Sequence, residues 1–203
     1  MQGAYRVWDR GRQLIERFVA APGPMGWRYF SRVGEAQGEP ELFNVDFVVD
    51  AAWGLVRFRS LQADGRQTVV VPVFGGLEVA KGYPGEERSW RLEGASAVWS
   101  SSPWSLHVAT RLLAAGGGEH VIAAELGAGD PAAVVVTVRP AARSDTEKRS
   151  AISDAQSVQL VAGDLELSAL LGPELPLAAT GWFELIEREG IPTPPAAQKR
   201  LGQ

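Results

Sequence analysis

Residues 44–74 constrain the fold of this chain more than any other stretch, because they hold three strand-like segments separated by turn signals. Apolar residues occupy every second position from Val45 to Val49, and a period of two is typical of a strand with one buried face. Gly54 permits a bend before the second segment, and the Asp64-Gly65 pair is a strong hairpin signal before the third. The stretch therefore predicts three consecutive antiparallel strands, around which the other strand-like segments must pair.

The composition limits the classes of protein to which the chain can belong. Its 203 residues suit one large β domain or two small ones, and the absence of cysteine excludes disulfides, thiol catalysis and cysteine zinc sites. A net charge of −4 with short basic runs argues against nucleic-acid binding through phosphate neutralisation. The first 14 residues lack the apolar core of a signal peptide, and no apolar run approaches about 18 residues. We therefore expect a cytoplasmic protein that neither spans a membrane nor binds nucleic acid.

Most of the remaining chain has the pattern of short strands between turns. Residues 5–19 leave two alternatives open, a helix or a hairpin that turns at a central glycine. Residues 89–99 also alternate in the manner of a strand, with a predicted bulge or turn at Gly94. Residues 104–112 alternate most regularly, so we predict a strand there, after a break caused by a proline. Residues 144–156 could form one short helix with a serine or aspartate cap.

The fold class follows from this count of about a dozen strands and at most two short helices. We predict a mostly β protein with a single strongly curved antiparallel sheet or half-open β-barrel. The chain could contain an internal duplication whose halves join near residues 114–118, where glycines cluster. Residues 1–190 are predicted to form one β-rich domain, and residues 191–203 have little to bury and are predicted to be a flexible tail.

Signals for catalysis or metal binding are weak in this sequence. The chain has two histidines, without the spacing that a metal site on one element would need. The serines at residues 100–102 lack a nucleophile elbow, and the glycine clusters lack the spacing of a phosphate-binding loop. We therefore predict no catalytic residue, no metal and no cofactor.

Seven tryptophans are the unusual feature of the composition. Indole rings supply large apolar area with one polar N–H group, so they could fill a large core or line an apolar cavity. Because alternation would place residues 104, 106 and 108 on one face of a strand, we predict that this face contributes to a pocket wall. The predicted wall consists of Trp53, Trp99, Trp104, Leu106 and Val108, and the predicted polar rim consists of Arg57 and His107.

Several short motifs occur in a fixed order along nearly the whole chain. They are Val7-Trp8, Glu16 ahead of an apolar segment, Gly26-Trp27, Asp50 with Trp53 three residues later, Arg57, Trp90 with Gly94, Ser102-Pro103, Arg111-Leu112 and Gly181-Trp182-Phe183. In this order they resemble the bacterial glycolipid-binding family, whose members are small soluble proteins. The chain departs from the family pattern at Ser105-Leu106, where the family has a Thr-Asn pair, and at Val49, where cysteine is common. Residues 113–156 have no counterpart in the pattern.

The resemblance implies a half-open, bent antiparallel sheet with two short helices and a role in glycolipid binding. It assigns no catalytic residue. Together with the aromatic strands, it favours a non-catalytic protein that binds an amphipathic or lipid-like small molecule on the concave face of the sheet. Two alternatives remain open: a small-molecule enzyme with a histidine–carboxylate pair, and a structural or interaction protein without a pocket. The sequence leaves the oligomeric state open.

Overall fold

The computed structural model describes residues 1–9, 11–35, 40–116, 118–127, 129–141 and 155–188. These ranges contain fifteen strands and one helix. The strands are β1 (Gln2–Asp9), β2 (Arg12–Gly23), β3 (Gly26–Gly34), β4 (Phe43–Asp50), β5 (Leu55–Gln62), β6 (Gln67–Val73), β7 (Gly76–Gly82), β8 (Arg88–Glu93), β9 (Ala97–Trp99), β10 (His120–Glu125), β11 (Ala132–Pro140), β12 (Gln156–Ala162), β13 (Leu165–Leu171), β14 (Pro176–Ala179) and β15 (Phe183–Arg188). The helix, α1, spans Pro103–Gly116. The prediction of a mostly β protein is therefore confirmed.

All fifteen strands belong to one open sheet in the order β8-β7-β6-β5-β4-β3-β2-β1-β15-β14-β13-β12-β11-β10-β9. Strands adjacent in sequence pair with each other, β1 pairs with β15, and the order is broken only between β8 and β9. These two strands lie at opposite edges of the sheet although only three residues separate them. Strand β8 also contacts β11, and β9 contacts β5. The sheet is therefore rolled so far that its two edges meet without pairing.

Residues 89–99 contain a turn at Gly94, one of the two predicted alternatives, but the strands on either side of it lie on opposite edges of the sheet. The chain leaves β8 at Gly94, which has a φ of 72°, and enters β9 on the other edge of the roll. The Ser96 N–H donates to the Ile122 carbonyl on β10 at 2.8 Å, so the crossing segment is bound to its new edge. The local alternation carries no information about this crossing, because it reports only the half-buried face of β8, whereas all three residues of β9 are buried.

Residues 104–112 were predicted to form a strand, and this prediction is wrong because they lie in α1. Trp104 and Val108 are four residues apart, a spacing that fits a period of two and also one helical turn. The residues between them are buried as well, since the first two turns of α1 are enclosed on all sides. Ser102 before Pro103 is a helix-start signal, with a capping side chain and then proline at the first helical position. The helix connects β9 to β10, which pair in parallel and so need a crossover connection.

Other segments agree with the sequence pattern. Strands β1 and β2 pair in antiparallel fashion, which resolves the two alternatives for residues 5–19 in favour of strands. The central segment forms β4, β5 and β6 as consecutive antiparallel strands. The predicted helix at 144–156 and the tail at 191–203 fall outside the described residues, except that Gln156 begins β12. Among the described residues, no helix is long and apolar enough to cross a membrane.

Candidate functional site

The two ends of the roll differ in what fills them. At one end lie the β2–β3, β4–β5 and β6–β7 turns, and the space inside is occupied by α1 and aromatic side chains. At the other end, a cavity of about 1060 Å³ lies on the inner face of the sheet. Its lining includes residues from the beginning of β4 and β6 and from the end of β5 and β7, which places it at this end. The fold thus closes one end and leaves a cavity at the other.

The seven tryptophans divide between these two ends. Four of them line the cavity: Trp8, Trp90, Trp99 and Trp182. The other three, Trp27, Trp53 and Trp104, lie in the aromatic cluster around α1. The cavity wall therefore contains tryptophans that are distinct from those of the aromatic cluster around α1.

Three of the cavity tryptophans are connected to one another. The rings of Trp99 and Trp182 are 4.9 Å apart between centroids, with an angle of 52° between their planes. The indole N–H of Trp182 donates to the Ser101 carbonyl at 2.8 Å, and the Trp8 amide donates to the Trp182 carbonyl at 2.8 Å. These bonds tie residues from the start of α1 and from β1 to the same wall. We expect this wall to be preorganised, because its indole groups are held by packing and by hydrogen bonds.

The cavity rim carries charged side chains of both signs. Lys81 donates hydrogen bonds to the carbonyls of Gly127 at 3.0 Å and Gly129 at 2.8 Å, which connects β7 to the segment after β10. Burial lowers the pKa of Lys81, and the Asp130 carboxylate partly offsets this effect. Arg66 also lines the cavity and forms an exposed ion pair with Asp64 at 2.7 Å. The rim can therefore offer both donors and acceptors to a polar group.

A buried carboxyl group lies beneath the cavity. On β2, Leu14 lines the cavity and Glu16 is the next residue on the same face, about 7 Å further along the strand. Its Oε1 atom accepts hydrogen bonds from the hydroxyls of Tyr29 at 2.8 Å, Ser31 at 2.7 Å and Ser102 at 2.7 Å. Burial raises the pKa of Glu16, and the three hydroxyl donors act against this rise. Since Ser102 precedes α1, the carboxyl group fixes the start of the helix against β2 and β3.

The opposite end of the roll is filled by an aromatic cluster. Trp104 stacks on Tyr29 with a centroid distance of 4.6 Å and an interplanar angle of 11°. His107 packs between Trp104 and Trp53, and burial, together with the nearby Arg111, lowers its pKa to about 3. The guanidinium of Arg111 lies 5.5 Å from the centroid of the Trp53 ring. This arrangement is a packed core with a neutral histidine.

The predicted site residues are not brought together by the structure. Trp99 lines the cavity. The helix residues Trp104, Leu106 and Val108 are at most 1% exposed and do not line it. Trp53 is half-buried in the aromatic cluster, where it contacts His107.

The proposed rim residue Arg57 lies on the outer face of the sheet. Its guanidinium binds the Asp46 carboxylate at 2.6 Å, and its side chain is 47% exposed. The cavity residues that the sequence reasoning missed include Trp8 and Trp182. Trp8 lies near the end of β1, and Trp182 lies in the turn just before β15 begins. The sequence signal for these two residues was the nearby turn glycines, Gly11 and Gly181, because turns lie at the ends of a rolled sheet, where a cavity can open.

The fold and the cavity define a class of protein: an open, rolled and largely antiparallel sheet with a helix inside one end and a cavity inside the other. Searches with protein-family models, against curated proteins and against solved structures each found no match for this chain.

Proposed function

We propose that this chain is a non-catalytic binding protein for an amphipathic or lipid-like ligand, held in the cavity at the open end of the roll. The observation that carries this proposal is the placement of four of the seven tryptophans around one cavity with a charged rim. Ligand sites in proteins are typically concave, with apolar and aromatic walls and a few polar groups that fix orientation. The volume of about 1060 Å³ is slightly above the range usual for such sites.

The distribution of groups supports a ligand with two chemically different parts. The half-buried indole rings of Trp8 and Trp90 offer apolar area in the wall, while Arg66 and Lys81 lie where strands end. An alkyl chain would contact the rings, and a polar headgroup would lie at the rim, where hydrogen-bond partners remain hydrated. The resemblance to the glycolipid-binding family makes a sugar-bearing headgroup the first candidate.

The enzyme alternative has less support. Within the described residues, neither histidine is joined to a carboxylate by a hydrogen bond or an ion pair. With a pKa of about 3, His107 would be neutral at physiological pH, and it is packed among aromatic rings outside the cavity. His120 lies at the start of β10 and is exposed. A general acid–base role needs reach to a substrate, and His107 has none from this position.

A cavity-filling substitution tests the proposal. Thr68 lines the cavity, whereas its neighbour Val69 does not. We expect the wild-type protein to bind an environment-sensitive apolar dye and to release it when decyl maltoside is added. Thr68→Trp should weaken dye binding about tenfold or more, because the new ring occupies space the dye needs. The control variant Val69→Trp should bind the dye as the wild type does. Dye binding that is equal in both variants would contradict the proposal.

A further inference from the structure

The outer face of the sheet carries a concentration of arginines that the proposed binding function does not use. Five arginines project from β2, β3 and β5 on the side opposite the core, and together they are called the arginine face. They are Arg17, Arg28, Arg32, Arg57 and Arg59. The whole chain has a net charge of −4, so this face differs in sign from the average surface.

The carboxylates near the arginine face do not neutralise it. The Asp46 carboxylate binds the guanidinium groups of Arg28 at 2.8 Å and of Arg57 at 2.6 Å. Asp46 is only 8% exposed, whereas the side chains of Arg28 and Arg57 are 61% and 47% exposed. Asp50 accepts hydrogen bonds from backbone amides in the β4–β5 turn. Glu41 pairs with Arg32 at 3.2 Å. The arginines outnumber these three carboxylates, and their guanidinium groups remain open to solvent.

Two arginines on this face repel each other across neighbouring strands. Arg17 and Arg32 are directly opposite each other in the β2–β3 ladder. Like charges in this position destabilise a sheet. Arg17 forms no ion pair or hydrogen bond with any described residue, whereas Arg32 pairs with Glu41, so the repulsion is only partly offset within that part of the chain. An external anion bound across the pair would remove the repulsion, which gives this arrangement a functional interpretation.

We propose that the arginine face docks on an anionic lipid surface. Basic side chains near such a surface are attracted to its phosphates, and the headgroups can move laterally to meet fixed guanidinium groups. Val19 and Val56 are about half exposed beside the arginines. Apolar side chains among basic ones suit a bilayer interface, whereas a nucleic-acid backbone offers them no apolar contact. This inference rests on the outer face and is independent of the cavity.

Vesicle sedimentation tests the docking. The full-length protein should pellet with phosphatidylcholine vesicles that contain phosphatidylglycerol and stay in solution with pure phosphatidylcholine vesicles. The double variant Arg17→Gln/Arg32→Gln should reduce binding about 25-fold, since each arginine near an anionic surface contributes about a factor of five. The charge-conserving variant Arg17→Lys/Arg32→Lys should bind as the wild type does. The variant Arg88→Gln/Arg139→Gln loses the same two charges on other strands and should also retain binding.

Several results would overturn the proposal. Absence of pelleting with the anionic vesicles, or equal pelleting with both vesicle types, would exclude docking through charge. An equal loss in the Arg88→Gln/Arg139→Gln variant would show that net charge matters and the arginine face does not. Tighter binding of duplex DNA than of the anionic vesicles would assign the face to nucleic acid instead. Circular dichroism of each variant shows that loss of binding is not loss of fold.

Discussion

The stability of this protein should depend on pH through Glu16. Burial holds the pKa of this carboxyl group above its ordinary value of 4.5 in the folded protein, whereas the unfolded chain has the ordinary value. Below pH 4.5 both states are protonated, and the group costs no stability. As the pH rises, the unfolded state ionises first, so stability falls until the pH passes the folded pKa. The slope of this fall is at most about 1.4 kcal/mol per pH unit.

The substitution Glu16→Gln isolates this effect. Glutamine keeps an amide oxygen that can accept from Tyr29, Ser31 and Ser102, but it cannot ionise. We expect the free energy of unfolding of Glu16→Gln, relative to wild type, to increase as the pH rises above 4.5 and then to level off. Urea denaturation of both proteins across a pH series measures this difference. A difference that stays flat, or that falls with rising pH, would refute the reasoning, because it would mean that the carboxyl group ionises as easily in the fold as in water.

Loss of one hydroxyl donor gives a second measure of the same cluster. Ser102→Ala removes the bond at 2.7 Å to a buried carboxyl group, and should cost about 1.5–3 kcal/mol at neutral pH. The control Ser101→Ala changes a neighbouring hydroxyl that makes no side-chain hydrogen bond with a described residue, and should cost less than about 0.5 kcal/mol. Equal losses in the two variants would contradict the role of the Glu16 carboxyl group in fixing the start of α1.

Three further predictions concern other parts of the fold. Trp104→Ala should cost about 3–5 kcal/mol of stability in urea denaturation, because the ring is 1% exposed. Trp90→Ala should cost far less, because this ring is half-buried in the cavity wall. Similar losses in the two variants would contradict the assignment of core and cavity. The His107 ring should show no titration shift in NMR spectra between pH 5 and 8, since its pKa is about 3; a transition in that range would mean that the ring is accessible to water. Asp50→Ala should cost about 1–2 kcal/mol in thermal unfolding, because Oδ1 accepts two turn amides at 2.8 Å; an unchanged melting temperature would refute this.

Local patterns in the sequence identified most of the strands because the sheet has one buried face along its length. In β4 the buried residues Val45, Phe47 and Val49 follow the expected period of two. Turns were also predictable where chemistry demands them, as at Gly65, which has a φ of 91°. The same reasoning missed α1, since its first two turns are enclosed on all sides and show no polar face that would reveal the helical period.

The candidate site was less predictable than the sheet. Whether an inward residue lines the cavity or the packed end depends on its distance from the ends of the roll. Trp104 and Trp99 are five residues apart in sequence, yet Trp104 is in the aromatic cluster around α1 and Trp99 is in the cavity wall. The pairing of β1 with β15 and the meeting of β8 with β11 create these two ends. Such long-range contacts leave no mark in a local window of sequence.

Native mass spectrometry tests most directly the central claim that the cavity holds an amphiphile. The account predicts that the wild-type protein, after incubation with a lipid extract, carries one amphiphile per chain. It also predicts that the Val69→Trp variant keeps this adduct and that the Thr68→Trp variant, whose new ring enters the cavity, loses it. An unliganded wild-type protein, or the same adduct on both variants, would contradict the claim.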